Sequence, residues 1–184
     1  MSLPTSRGQL RASFLRWALL IVPAVSLVGF AAARLSGSTA LSPWFEELAK
    51  PAINPPSYLF GIVWPILYVM MGLALTLIVT ARGAPGRGAA IAAFVVQLAL
   101  NLAWSPLFFG AHQVTAALWR LFAIDLAVIA TIVLFWKVRP PAAWLLVPYL
   151  AWVLFATALN WQFNVLNPDA ETRGGSGAVT RYEL

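Results

Sequence analysis

Five long apolar runs divide this chain, at residues 14–33, 58–80, 89–109, 114–136 and 142–163, with polar residues gathered in the intervals. A helix needs about 20 apolar residues to cross about 30 Å of hydrocarbon, and each run is near that length. None alternates apolar and polar positions with the period of two that a membrane barrel strand shows. The pattern predicts an all-α integral membrane protein, a bundle of five transmembrane helices over 14–166. A basic segment, 1–13, precedes it, and a Gly- and Ser-rich tail, 167–184, is expected to be disordered. The links at 81–88, 110–113 and 137–141 are short, which makes sequential helices antiparallel neighbours or nearly so.

The first link, 35–57, is different. It holds Pro43, Pro51, Pro55 and Pro56 around an amphipathic WFEELAK piece that suits one or two helical turns. A long ordered loop reads as a functional lid more often than as a spacer. Pro23, Pro65, Pro106 and Pro148 fall inside the apolar runs and predict a kink or a helix end unless neighbours satisfy the freed carbonyl. The first run follows Arg7, Arg11 and Arg16 but is too long for a signal-peptide core, so it is read as a retained helix.

Composition agrees. Of 184 residues, 61% are hydrophobic and 10% charged, against about 25% charged in soluble domains. Cysteine is absent, which excludes disulfides, thiolate metal sites and a cysteine nucleophile. His112 is alone, so no histidine cluster for a metal and no His-dependent triad can form; in its short loop it is expected to be solvated. The sequence therefore offers no catalytic residue and no metal site. The net charge of +6 is a topology signal and not a nucleic-acid footprint. Arg7, Arg11, Arg16, Arg82, Arg87, Lys137 and Arg139 share one side without an acid. Arg34, Lys50, Arg173 and Arg181 share the other with Glu46, Glu47, Asp169, Glu171 and Glu183. The positive-inside rule puts the N-terminus inside and the C-terminus outside.

Residues three, four and seven apart share a helix face. Gln97, Asn101, Trp104 and Phe108 form such a stripe on the third helix, and Trp64, Tyr68 and Met71 on the second. Tyr149, Trp152, Ala156 and Asn160, continued by Phe163 and Asn164, form one on the fifth. Two readings stay open for these stripes. They are hydrogen-bonded glue between helices, at about 0.6 kcal/mol per contact, or they line one cavity for a large, flat, mostly apolar ligand. Asn101, Trp64 and Trp152 sit deep in their spans and favour the cavity; Gln97 keeps the glue reading. In the fourth span Arg120 and Asp125 each cost about 2.5–3.5 kcal/mol on insertion scales. Five positions apart, they pair within one helix only under strain, so Arg120 snorkels and Asp125 needs a partner on another helix, as a structural polar contact or as part of a proton relay. Small residues four apart (Ala89/Ala93, Ala99/Ala103, Gly72/Thr76) permit close helix packing or a homodimer.

Three stretches, KPAINPPSYLFGIVWPILYVMMG (50–72), QLALNLAWSPLFFGAHQ (97–113) and PYLAWVLFATALNW (148–161), together resemble the TspO/translocator protein family. These are the tryptophan-rich sensory proteins and the peripheral-type benzodiazepine receptor. The resemblance implies a five-helix bundle, often dimeric, with a pocket capped by the first loop. It also implies a bacterial cell membrane as the location, and protoporphyrin IX or haem as ligands in place of any obligatory cofactor. Sterols and benzodiazepine-type compounds are the further ligand classes. Carried over by motif, the ligand-binding residues are Trp64, Tyr68, Asn101, Trp104, Tyr149, Trp152, Phe155, Ala156 and Asn160. The lid is Pro51, Ile53, Asn54, Pro55, Pro56 and Tyr58. Ile53 and Tyr58 stand where the family's lid carries tryptophan, and the sterol-motif position LNWQFNVL (159–166) lacks the basic end of that motif. The function implied is a membrane receptor or transporter that regulates tetrapyrrole flux or signals its level. Light- and oxygen-dependent porphyrin breakdown and a purely structural scaffold are the alternatives.

Overall fold

The structure, a computed structural model, describes residues 7–35 and 42–175. Helix α1 is Arg7–Leu35, α2 Pro43–Glu47, α3 Ser57–Val79 and α4 Arg87–Leu102; α5 is Val114–Val138, α6 Pro140–Leu166 and α7 Ala170–Gly175. Between α4 and α5 the chain makes one π-helical turn, Pro106–Gly110. Among the described residues five helical stretches are long and apolar enough to cross a membrane, the third running Arg87–Gly110. Large apolar side chains are exposed on their outer faces, among them Leu19, Leu20, Leu27, Trp119, Leu126 and Trp161. In water such a surface would be a liability; in lipid it is the expected solvent-facing side.

Inside, Met71, Ala74, Ile78, Phe94, Ile124, Val128, Phe135 and Leu146 form one apolar core. The spans close into a ring in the order α1, α3, α6, α5, α4. The short link between α3 and α4 does not make them main neighbours: α3 packs chiefly on α1 and α6, and α4 on α5. Gly72 sets the α1–α3 spacing, since a Cβ there would lie 2.8 Å from the Cα of Val22. The Gly72 of the small-residue spacing is thus used within the chain. At the opposite end from the first loop, the Arg87 guanidinium donates to the carbonyls of Ile78 and Val79. It caps the last turn of α3 from the first residue of α4.

Three expectations change. Helix α1 begins at Arg7, so the second half of the basic segment is already helical; residues 1–6 lie outside the described residues. The helices run on through Pro23, Pro65 and Pro148; the break falls at Ala103, after α4 ends at Leu102, and Pro106 then opens the π turn. The expected disordered tail is ordered at its start. Its backbone folds into α7, and Ala170 is buried, because a neighbouring indole takes up a free carbonyl there, as described below. Residues 36–41, within the first loop, and 176–184 lie outside the described residues.

Candidate functional site

The first loop and the C-terminal segment pack together across one end of the ring. Pro at the first turn and Ser42 before it suit a helix start, and the amphipathic sequence turns Trp44 inward. Trp44 and Leu48 are buried against Phe108, Leu159, Phe163 and Ala170. The Trp44 indole N–H donates to the carbonyl of Ala170 at 3.1 Å. Asn167 accepts from the Ala49 N–H at 2.7 Å and donates to the Ala49 carbonyl at 3.0 Å. The Glu171 carboxylate accepts from the N–H of Thr115 at 2.8 Å, in the first turn of α5, where a negative charge is favoured. His112, expected to be solvated, is instead half-buried and stacked on Trp44 at 4.3 Å. The Lys50 ammonium lies over the Phe45 ring at 4.0 Å and donates to the Phe45 and Leu48 carbonyls. Burial lowers its pKa, and nearby Glu46 partly offsets that.

Beneath this cover lies a cavity of about 1240 Å³, and all five spans contribute to it. Trp64 and Tyr68 of α3, Asn101 and Trp104 of the third span, and Trp152, Ala156 and Asn160 of α6 all line it. Of the expected lid residues, Asn54, Pro55 and Pro56 line it too. The rings are locked to one another. Trp64 stacks on Tyr68 at 5.4 Å, Trp104 on Phe108 at 5.2 Å, and Trp152 meets Phe60 edge-on at 5.7 Å. Tyr68 OH donates to Asn101 Oδ1 at 3.4 Å, a long bond. Polar atoms remain unanswered: Ser26 Oγ, both indole N–H groups of Trp104 and Trp152, and both amide atoms of Asn160 are buried without a hydrogen-bond partner. Buried polar atoms are nearly always bonded. Five unpaired atoms on cavity-lining residues therefore set this wall apart from ordinary core packing.

Two of the motif-derived residues lie elsewhere. Tyr149 is fully buried and donates to Gln97 Oε1 at 3.0 Å, so this pair ties α6 to α4 behind the wall. Phe155 packs against Trp152 at 5.4 Å and is not among the lining residues. Pro51 is buried, and Ile53 and Tyr58 point outward. Residues that the stripes did not reveal also line the cavity: Ser26, Gly29 and Phe30 of α1, and Phe45 and Lys50 of the first loop. Helix α1 has no aromatic stripe, and Ser26, a lone hydroxyl in an apolar run, was the available signal. Asp125, which needed a partner on another helix, accepts a 2.8 Å hydrogen bond from Thr157 of α6. Among the described residues no group of three or more His, Asp or Glu could hold a metal ion.

A ring of five membrane-spanning helices around a covered, aromatic cavity defines a multi-pass membrane protein of the small-molecule receptor or transporter type. Comparison with known proteins narrows the class. The chain belongs to the TspO/MBR family, whose sequence profile matches residues 19–166. It is 40% identical to the tryptophan-rich protein TspO of Archaeoglobus fulgidus over 144 residues, 78% of this chain and 92% of that one. It is 37% identical to protein CrtK of Rhodobacter capsulatus over 153 residues, 77% of this chain and 91% of that one. It is 42% identical to the translocator protein of Homo sapiens over 120 residues, 64% of this chain and 71% of that one.

Proposed function

We propose that this protein is a membrane receptor or transporter for tetrapyrroles, with protoporphyrin IX or haem held in the interior cavity. The observation that carries the reading is the wall itself. A space of about 1240 Å³ exceeds the about 300–1,000 Å³ usual for drug-sized ligands. Three indoles give flat apolar faces for a macrocycle, while Asn160, Ser26 and the indole N–H groups offer bonds to its polar substituents. Lys50, at the rim, supplies a cation suited to a propionate. The cover formed by residues 44–56 acts as the lid, and sterols or benzodiazepine-type compounds would compete for the same space.

Titration of protoporphyrin IX into purified protein, read by tryptophan quenching, tests it. Saturable quenching that weakens by about tenfold or more in Trp152→Ala and Asn160→Ala is expected, each variant removing a stacking face or a buried bond. Quenching that does not saturate, or is identical in the variants, would refute it. A scaffold whose polar stripes serve packing alone predicts lower stability for Asn101→Ala with no binding to alter. Photochemical breakdown would instead give a new product spectrum on illumination, dependent on Trp64, Trp104 and Trp152.

The charge asymmetry supports an orientation with the N-terminus inside and the lid outside, in a bacterial cell membrane. The exposed face of α4, with Ala89, Val95, Val96 and Ala99, is the surface proposed for a homodimer.

A further inference from the structure

Asp125 is a polar group the interior cavity leaves unused. Along α5, Leu121 and Ile124 face the cavity, while Phe122 and Asp125 line a separate groove of about 500 Å³ between α5 and α6. Leu126, Leu154, Ala158 and Trp161 complete it, and Phe122, Leu126 and Trp161 are exposed to the bilayer side. Asp125 lies near the middle of α5, hence near mid-bilayer, and is only 6% exposed. Thr157 shares its one proton between Asp125 Oδ2 at 2.8 Å and the Val153 carbonyl at 3.0 Å. The other carboxylate oxygen, Oδ1, has no hydrogen-bond partner.

We propose that this groove binds a membrane-dissolved amine, an amphiphile whose protonated nitrogen meets Asp125 Oδ1 and whose apolar chain lies along Leu126 and Leu154. Three properties select an amine. In a medium of low dielectric a carboxylate attracts a cation far more strongly than a neutral donor. Phe122 and Trp161 supply ring faces that favour a cation beside them. The groove opens toward lipid, so its ligand arrives by partitioning from the bilayer.

The test uses the full chain in lipid nanodiscs, with dibrominated octadecylamine as probe and the dibrominated alcohol of equal length as control. Bromine quenches a tryptophan it touches, so the signal is the quenching that Trp161→Phe removes. The amine should quench saturably at a mole fraction about tenfold below the alcohol's, and Asp125→Asn should bring the two curves together. A second variant, Ala158→Phe, fills the groove without touching the carboxylate. It should abolish the saturable phase while protoporphyrin quenching from the interior stays unchanged. Equal curves for amine and alcohol, or an amine curve that neither variant moves, would overturn the proposal. Loss of the signal when two copies share a disc would do the same, assigning the groove to a second copy.

Discussion

Gly29 carries no side chain because the ring of Tyr68 occupies the space: a Cβ there would lie 2.3 Å from the ring. The Tyr68 hydroxyl that reaches Asn101, and the face that Trp64 stacks on, both depend on that contact. Gly29→Ala should therefore lower stability by about 1–3 kcal/mol, as overpacking does, and weaken protoporphyrin binding as well. Gly61, which also lines the cavity, has open space around it, so Gly61→Ala should leave the melting temperature unchanged. Tyr149→Phe separates glue from lining. It strips Gln97 Oε1 of its donor in a buried site, at a cost of about 1–3 kcal/mol, and should leave ligand affinity alone. Helical phasing placed Gln97, Asn101 and Trp104 on one stripe, and that much was legible in the sequence. It could not show that Gln97 meets Tyr149 while Asn101, one turn further on, faces a cavity. That difference is set by a helix some fifty residues away, which periodicity along one helix does not encode.

At the level of elements, the cover is held by the segment that follows α6. Asn167 makes three hydrogen bonds, to the backbone of Ala49 through both amide atoms and to the Phe163 carbonyl. Asn167→Ala should leave equilibrium binding of the porphyrin little changed but speed its release severalfold, measured by stopped-flow displacement. An unaltered release rate would show that the loop is not what retains the ligand. The Gly- and Ser-rich composition concealed α7, because composition describes the end of the tail and not its start. The clue lay in Trp44, since a buried indole N–H needs an acceptor and the first loop offers few. The prolines misled in the other direction. Pro23, Pro65 and Pro148 sit within helices that continue past them, while α4 stops at Leu102 and Pro106 opens the π turn that follows.

For the molecule as a whole, lipid made the five spans readable. Every helix must be apolar over a fixed length, and hydropathy records that length directly. The two ends differ in charge, and the absence of native cysteine makes the proposed orientation simple to check. An impermeant maleimide should label Glu47→Cys on intact cells, and Gly83→Cys only after permeabilisation; the reverse pattern would invert the topology. The ring order was not legible, because the seven-residue link between α3 and α4 serves a helix beside its predecessor as readily as one set further round. That order has a bearing on biosynthesis. Helix α6, the last of the five to leave the ribosome, is the one wedged between α3 and α5, and it brings Trp152, Ala156 and Asn160 with it. Until it inserts, four helices wait in the membrane with an open flank, and the cavity lacks one of its five walls. The cavity therefore comes into being only at the last insertion step, and a molecule dissolved in the bilayer meets an open space before that step and a closed ring after it.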